Sequence, residues 1–564
     1  MSTRGIYGLS GSGIDVDSMV KVGMMTKQSQ YDKMYKQEVK NEWLKEAYSD
    51  LYSDLNTFNT TTLSSYKMSS KTSPMLASSS ASTVATATAN ADAASMSHTV
   101  NVTALASNAY LLTKDGITRS NTTASTSIYL KDVLFTADEQ TALQNSAANG
   151  SDTLLSFTIS DGSGDSAKTA TISFTYDDVF SSNQTFNDLV SKINASGVNI
   201  QASFDNTNNA FSLYQKTGGT ANQINLSVAT DGSDSAKNGA ALINKLDLHS
   251  VTSSTDSSGN ITSSLSTDAV TLSTDTTKGT ASYSVSGKSA QATIDGKSYE
   301  SDNGKVTVGG VTYTLNAMGA TTVSVSQDTD TLVKNVQSFV DDYNKMIDAL
   351  NTKYYEKQYS DYGVLTKSQE SAMTADQITK WNEKAKSGLL YHDQTLGKVI
   401  SSMRQALYTP VDSVTSNYNT MMSIGITSST DQGHIRLDTD KLKKALAADP
   451  DCVRQLFASS GDVTTTDADG TTKTTTDYDK EGVLNRISDA LHTNLKTMKS
   501  YAGSSTETSD GSTLGTLIEN LKTKMSDFKT QMDAFENALY DKYDAMETAI
   551  QQLSTQLGYI TGGN

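Results

Sequence analysis

Residues 518–560 read IENLKTKMSDFKTQMDAFENALYDKYDAMETAIQQLSTQLGYI, and one face of this stretch decides how the ends of the chain fold. Ile518, Leu521, Met525, Phe528, Met532, Phe535, Leu539, Tyr543, Met546, Ile550, Leu553, Leu557 and Ile560 follow one another in steps of three and four. That spacing places them on a single stripe of a long α-helix. Two steps of four fall together at Phe535–Leu539–Tyr543, a stutter that locally relaxes a left-handed supercoil. A helix with one narrow apolar stripe needs a partner helix, from this chain or another, to be stable in water.

Working outward, the opposite end of the chain offers a matching element. From Val16 to Met68 the pattern is helical: Tyr31, Tyr35, Val39 and Trp43 step by four, and Leu44, Tyr48, Leu51, Leu55 and Phe58 alternate steps of four and three. Such a helix would reach roughly 80 Å, longer than an ordinary globular helix. The three prolines, Pro74, Pro410 and Pro450, leave both ends free of helix breakers.

Between these ends the period changes to two. Val100, Val102 and Ala104 alternate; Leu155, Phe157 and Ile159 with Ile172, Phe174 and Tyr176 predict a hairpin; Ile200, Ala202 and Phe204 with Phe211 and Leu213 predict a second. Thr185 is placed to cap a short helix carrying Phe186, Leu189 and Ile193. Thr293–Gly296 and Val306–Leu315 read as a compact β unit, and Val323 and Val325 as a last strand. At residue 328 the helical period returns with Leu332, Val336, Phe339, Tyr343, Ile347 and Leu350. Asp393 predicts a cap for a helix stopped by Pro410, Ile435 and Leu437 a short strand, and Leu442–Leu446 and Val453–Phe457 two short helices. Residues 460–480, rich in Thr and Asp, read as a mobile loop. The fold class expected is α+β multidomain, with long N- and C-terminal helices forming a coiled-coil-like leg and β-rich head domains inserted between them.

Composition narrows the function. Net charge is −17, and the sequence pI near 4.8 argues against nucleic acid or an anionic membrane as partner. No apolar run reaches the length of about 18 residues that spans a bilayer, and Met1–Gly8 lacks the apolar segment of a cleavable signal peptide. The expectation is a cytoplasmic chain or one exported by an unconventional route. The single cysteine, Cys452, excludes an internal disulfide, and its Asp-Pro-Asp-Cys setting disfavours a thiolate.

No catalytic pattern is complete in the sequence. Gly11-Ser12-Gly13 begins like a dinucleotide fingerprint, but Val16 stands where the third glycine belongs. Asp467-Ala468-Asp469-Gly470 begins like a calcium loop, but Gly falls at position 4 and Tyr478 at position 12. His98, His249, His392, His434 and His492 are scattered without metal-ligand spacing. The reading is a non-enzyme with no catalytic residue, cofactor or metal, whose terminal stripes serve assembly.

These residues resemble the flagellar cap family, also called hook-associated protein 2. Gly11-Ser12-Gly13-Ile14-Asp15-Val16 followed by a helix looks like that family's opening signature, with an additional Ser10. Lys67–Asn108, residues 185–224 and residues 287–327 are similar to successive family segments. Asp328–Asn351, Lys386–Leu407, Ile424–Ile426, Leu437–Asp451 and the helix ending near Tyr559 follow the family's order most closely. The likeness covers about four fifths of the chain; residues 110–150 and 225–285 have no counterpart.

The resemblance implies an extracellular structural factor at the tip of the bacterial flagellum, exported through the flagellar channel without a cleaved signal. It implies a ring of identical copies that promotes folding and insertion of flagellin, with hook–filament junction proteins, a cytoplasmic export chaperone and host glycans as further partners. Another axial protein (flagellin or junction protein) and a surface adhesin using the β domains stay open as alternatives. The divisions expected are 1–43 and 44–97 for the N-terminal part of the leg, and 98–150 and 250–326 for one head domain. A second head domain is expected at 151–249, with 327–510 and 511–564 completing the leg. The expected oligomer and filament interface comprises Ile14, Val16, Met19, Leu44, Leu51 and Leu55 in the first helix. In the last helix it comprises Leu521, Phe528, Met532, Phe535, Leu539, Met546, Ile550, Leu553 and Leu557.

Overall fold

The structure is a computed structural model that describes residues 15–121, 127–145, 150–162, 166–255, 261–430, 432–466, 469, 471–503 and 510–561. The architecture is α+β. The chain forms two compact units, a helical one built from Met1–Pro74 with Thr329–Asn564, and a β-rich one from Met75–Asp328.

Five principal helices make the helical unit: α1 (Val16–Thr57), α2 (Thr329–Tyr354), α3 (Gln394–Tyr408), α4 (Val483–Ala502) and α5 (Thr513–Thr561). Asp15 starts α1, its Oδ1 accepting the Ser18 amide hydrogen bond at 3.0 Å, which satisfies one of the open N–H groups of the first turn. The helical path continues past Thr57 through a wider π-helical turn at Phe58–Leu63 to Tyr66. The stripe Leu332, Val336, Phe339, Tyr343, Ile347 and Leu350 of α2 is buried, as its period requires. Asp393 caps α3, accepting from the Leu396 amide at 3.0 Å, and α3 ends ahead of Pro410. These helices enclose one core that also takes in Tyr48, Leu51, Leu55, Phe58, Leu63 and Tyr66. Cys452 lies within it, and burial pushes its thiol pKa up to about 12.

The β-rich unit holds two cores. One is formed by residues between Ala109 and Val270, where two five-stranded antiparallel sheets are joined by helices Phe186–Ala195 and Asp234–Lys245. Both hairpins expected from the alternation form there, pairing Phe157 with Ile172 and Phe204 with Phe211. Thr185 and Asp188 make a reciprocal capping box for the helix between them. The other core is formed by Ala85–Val102 together with Ala290–Val325, between a five-stranded and a three-stranded sheet. Asp295 and Gly296, both at positive φ (48° and 82°), make the two-residue turn of the hairpin Ala290–Ile294/Lys297–Ser301. His98 Nδ1 lies 2.7 Å from Asp295 Oδ2, fixing that turn against the neighbouring strand.

Three expectations need correction. Residues 109–150 and 250–270, expected to share a head domain with 98–108 and 271–326, instead contribute to the larger core with residues 151–249. The Ala/Ser/Thr run expected within the helical leg up to residue 97 forms strands Met75–Ser79 and Ala85–Ala89 of the β-rich unit. Threonine is β-branched and suits a pleated strand better than a helix. Residues 460–480 are not a loop but an antiparallel hairpin, Ser460–Thr466 with Thr472–Glu481.

Arg486, at the start of α4, is fully buried. Its guanidinium donates to four backbone carbonyls, those of Thr409 (2.7 Å), Pro410, Tyr478 and Asp479 (2.8 Å each). It thus ties the end of α3 and the base of the hairpin to α4. Truncating it would remove four charge-assisted bonds, each worth about 1.5–3 kcal/mol, although the Asp479 carbonyl keeps the Asp412 amide as a donor. Arg486→Met is expected to destabilise the chain by at least about 3 kcal/mol in denaturant unfolding, and a midpoint within error of wild type would contradict this role.

Candidate assembly surface

Within the helical unit α1 and α5 lie antiparallel, and each contact along them has a sequence reason. Nearest the core, Lys45 pairs with Asp510. Next, Lys522 Nζ reaches Glu38 at 3.4 Å and Glu42 at 2.8 Å. Lys27 then lies over the rings of Phe528 (5.3 Å) and Phe535 (5.8 Å). Among the described residues the last hydrogen bond of the ladder runs from the Tyr540 hydroxyl to Asp17 Oδ1, at 3.0 Å. Val16, Val20, Ile518, Met525 and Met532 form the buried seam.

The stutter at Phe535–Leu539–Tyr543 meets a glycine. A Cβ on Gly23 would stand 2.7 Å from Leu539 Cδ1, so the bare backbone of α1 receives the leucine. Sequence reading singled out the stutter but not Gly23, because a glycine inside a helical pattern reads as a weakness until its opposite number is known.

Farther along, a polar layer interrupts the seam. Glu38 and Asn41 are buried. Burial, and then the hydrogen bond shared with Glu42, raise the Glu38 pKa above the usual carboxylate value. Burial acts in the same direction on Glu42, but its hydrogen bonds to Lys522 and Glu38 and the charges of Lys522 and Lys45 together outweigh that and leave the group below its ordinary value. Asn41 Oδ1 accepts from Gln37 at 2.9 Å, while its Nδ2 has no hydrogen-bond partner among the described residues. A buried polar layer in a helix pair costs stability and fixes register, since slipping it would bury these groups against apolar side chains.

Beyond Tyr540, α5 continues to Thr561 and its stripe emerges: Leu553 is 64% exposed, Leu557 61%, Tyr559 82% and Ile560 78%. The residues expected at an interface therefore separate into groups. Leu51 and Leu55 do not reach the surface; they belong to the core, because α1 packs there against α4 and shares the core with α2, and they leave the candidate surface. Leu44 is half-buried against the same core. Val16 and Met532 are buried in the seam, and Met19, Leu521, Phe528 and Leu539 are half-buried along the helix pair. Phe535 is exposed, Met546 and Ile550 are half-buried, and Leu553 and Leu557 are open. Ile14 lies outside the described residues. Val22 and Met25 on α1, 67% and 65% exposed, add apolar surface that the heptad reading passed over.

No group of three or more His, Cys, Asp or Glu is placed to hold a metal among the described residues. His98, His249 and His434 each lie within 3.3 Å of an aspartate oxygen (Asp295, Asp247 and Asp348), and His392 packs among Tyr354, Tyr355 and Tyr391.

Two models of one family match the chain, the N-terminal domain of flagellar hook-associated protein 2 over residues 12–109 and its C-terminal domain over residues 287–555. The chain belongs to the flagellar hook-associated protein 2 family. A member from Halalkalibacterium halodurans is 33% identical over 266 residues, covering 46% of this chain and 50% of that protein. One from Thermotoga maritima is 27% identical, covering 30% of this chain and 27% of that protein. The chain thus spans half or less of the length of these relatives. Among solved structures, the D1-D2-D3 domains of the flagellar cap protein FliD from Escherichia coli align with 84% of this chain and 99% of that one, at 21% identity and a TM-score of 0.48. The family match brackets residues 110–286, where most of the larger β core lies, and matches both members of the α1–α5 pair.

Gly23→Leu is expected to weaken that pair by about 1–3 kcal/mol, the usual cost of overpacking. The measurement is amide hydrogen exchange: faster exchange in residues 16–43, with unchanged protection of the β-rich unit, is the expected result, and unchanged exchange in 16–43 would count against the fit.

Proposed function

We propose that this chain is a non-enzymatic structural factor that caps the distal end of the bacterial flagellar filament. In this reading copies of the chain associate into a ring, and flagellin subunits fold and insert beneath it. The family match supports the setting, and the structure named in the comparison is that of a flagellar cap protein. The observation that carries the reading is the open end of α5. A helix that offers Leu553, Leu557, Tyr559 and Ile560 to water is built to bury them against other subunits. Passage through a narrow export channel without a cleaved leader suits a chain with one cysteine, hence no internal disulfide, and three prolines.

Two experiments test this. A strain lacking the gene should release flagellin monomers into the medium and lack full-length filaments; normal filaments in that strain would overturn the reading. A chain ending at Asp544 keeps the seam and the core, so its melting temperature should match that of the full chain. Expressed in the deletion strain, it should nonetheless fail to restore filaments. Full restoration would show that the exposed stripe is not the contact surface.

A further inference from the structure

A groove runs between α1 and α2 in the helical unit, apart from the α1–α5 pair. Its floor is apolar, with Leu51 and Leu350 at the bottom and Met346 and Ala349 partly open. The end flanked by Trp43 on α1 is flanked by Lys353 on α2, and the end flanked by Thr62 is flanked by Asp342, so the two helices bank it antiparallel. From Trp43 to Thr62 the groove extends roughly 29 Å, about five helical turns.

The two banks carry opposite charge. On α1, Glu46, Asp50 and Asp54 recur at every fourth position and form one line of carboxylates. On α2, Lys345, Ala349 and Lys353 recur at the same interval, with both lysines exposed. Lys386 closes one end, 2.7 Å from Glu46 and lying over the Trp43 ring. Among the described residues neither Asp50 nor Asp54 has a cation within 4.0 Å. Like charges lined up on an exposed bank repel one another unless an opposite charge faces them.

We propose that this groove docks an amphipathic α-helix of another polypeptide. Its apolar seam would rest on Met346 and Ala349, with lysine or arginine along the flank facing Glu46, Asp50 and Asp54. Aspartate or glutamate would line the flank facing Lys345 and Lys353. The apolar floor supplies affinity and the opposed banks supply orientation, because reversing the helix exchanges its flanks. The occupant is not the open stripe of a second copy: residues 543–561 contain no lysine or arginine to meet the carboxylate bank. This docking site is independent of the α5 stripe.

The test uses the full chain and a fluorescent, conformationally stapled helix of about eighteen residues, with a leucine seam, lysines on one flank and glutamates on the other, read by anisotropy. A second probe carries glutamates on both flanks. Wild type should bind the mixed probe at least about tenfold more tightly than the all-glutamate probe, and less tightly as salt rises. Asp50→Lys combined with Asp54→Lys, both exposed sites, should reverse that preference, and Met346→Glu should abolish binding, with melting temperatures unchanged for all variants. Equal binding of both probes, binding that survives Met346→Glu, or no binding at all would overturn the proposal. So would self-association of the chain that Met346→Glu abolishes, since the occupant would then be a second copy.

Discussion

The helical unit depends on the first long helix meeting the last. α1 and α5 are separated by nearly the whole chain, and neither has an apolar face wide enough to stand alone. Their pairing supplies the missing side of each seam, through Val16 and Val20 on one helix and Met525 and Met532 on the other. The Lys522–Glu38–Glu42 cluster fixes which residues face each other, and Gly23 gives Leu539 its place. Once that register is set, the rest of the stripe on α5 extends past the described start of α1. The emergence of apolar surface at the C-terminal end is thus a consequence of where the pair is locked.

The pair also shows how one repeating pattern performs two tasks. Along residues 518–532 the stripe is seam, and along 553–560 the same spacing of three and four is surface. Nothing in the side chains distinguishes the two stretches; the position of the partner helix does. For this reason the sequence could mark every residue of the stripe yet could not separate Met532, which is buried, from Leu553, which is open. In α1 the same difficulty took the opposite form. Leu51 and Leu55 have the spacing of an interface but lie in the core that α1 shares with α2 and α4, in the interior of their own chain.

Much of the remaining fold was legible where local chemistry was unambiguous. Thr185 and Asp393 cap the helices their positions suggested, and Asp295-Gly296 turns the hairpin that such a pair favours. α4 escaped notice although Val483, Ile487, Leu491, Leu495, Met498 and Ala502 recur in steps of three and four. It follows a long Thr/Asp-rich tract that reads as a mobile loop, because its strands bury almost nothing and so carry no apolar alternation. Their pairing rests on backbone hydrogen bonds and on the Arg486 clamp at the base. Gly23 and the α1–α2 groove were invisible for another reason: each is defined by a neighbour hundreds of residues away.

The β-rich unit is closed at its ends in a way that bears on how such chains diversify. Its first and last strands pair directly, Met75 opposite Gln327. Within it, the segment carrying the larger core is gathered again where Ser107 and Lys288 exchange backbone hydrogen bonds at 2.8 and 2.9 Å. The chain is therefore written like nested brackets, each closed by an antiparallel rung before the outer text resumes. Because the entropy of closing a loop rises only slowly with its length, what stands inside a bracket can lengthen, shrink or be exchanged while the strands outside keep their register. The segment inside a bracket can be rewritten in that manner without a compensating change in the strands that close it.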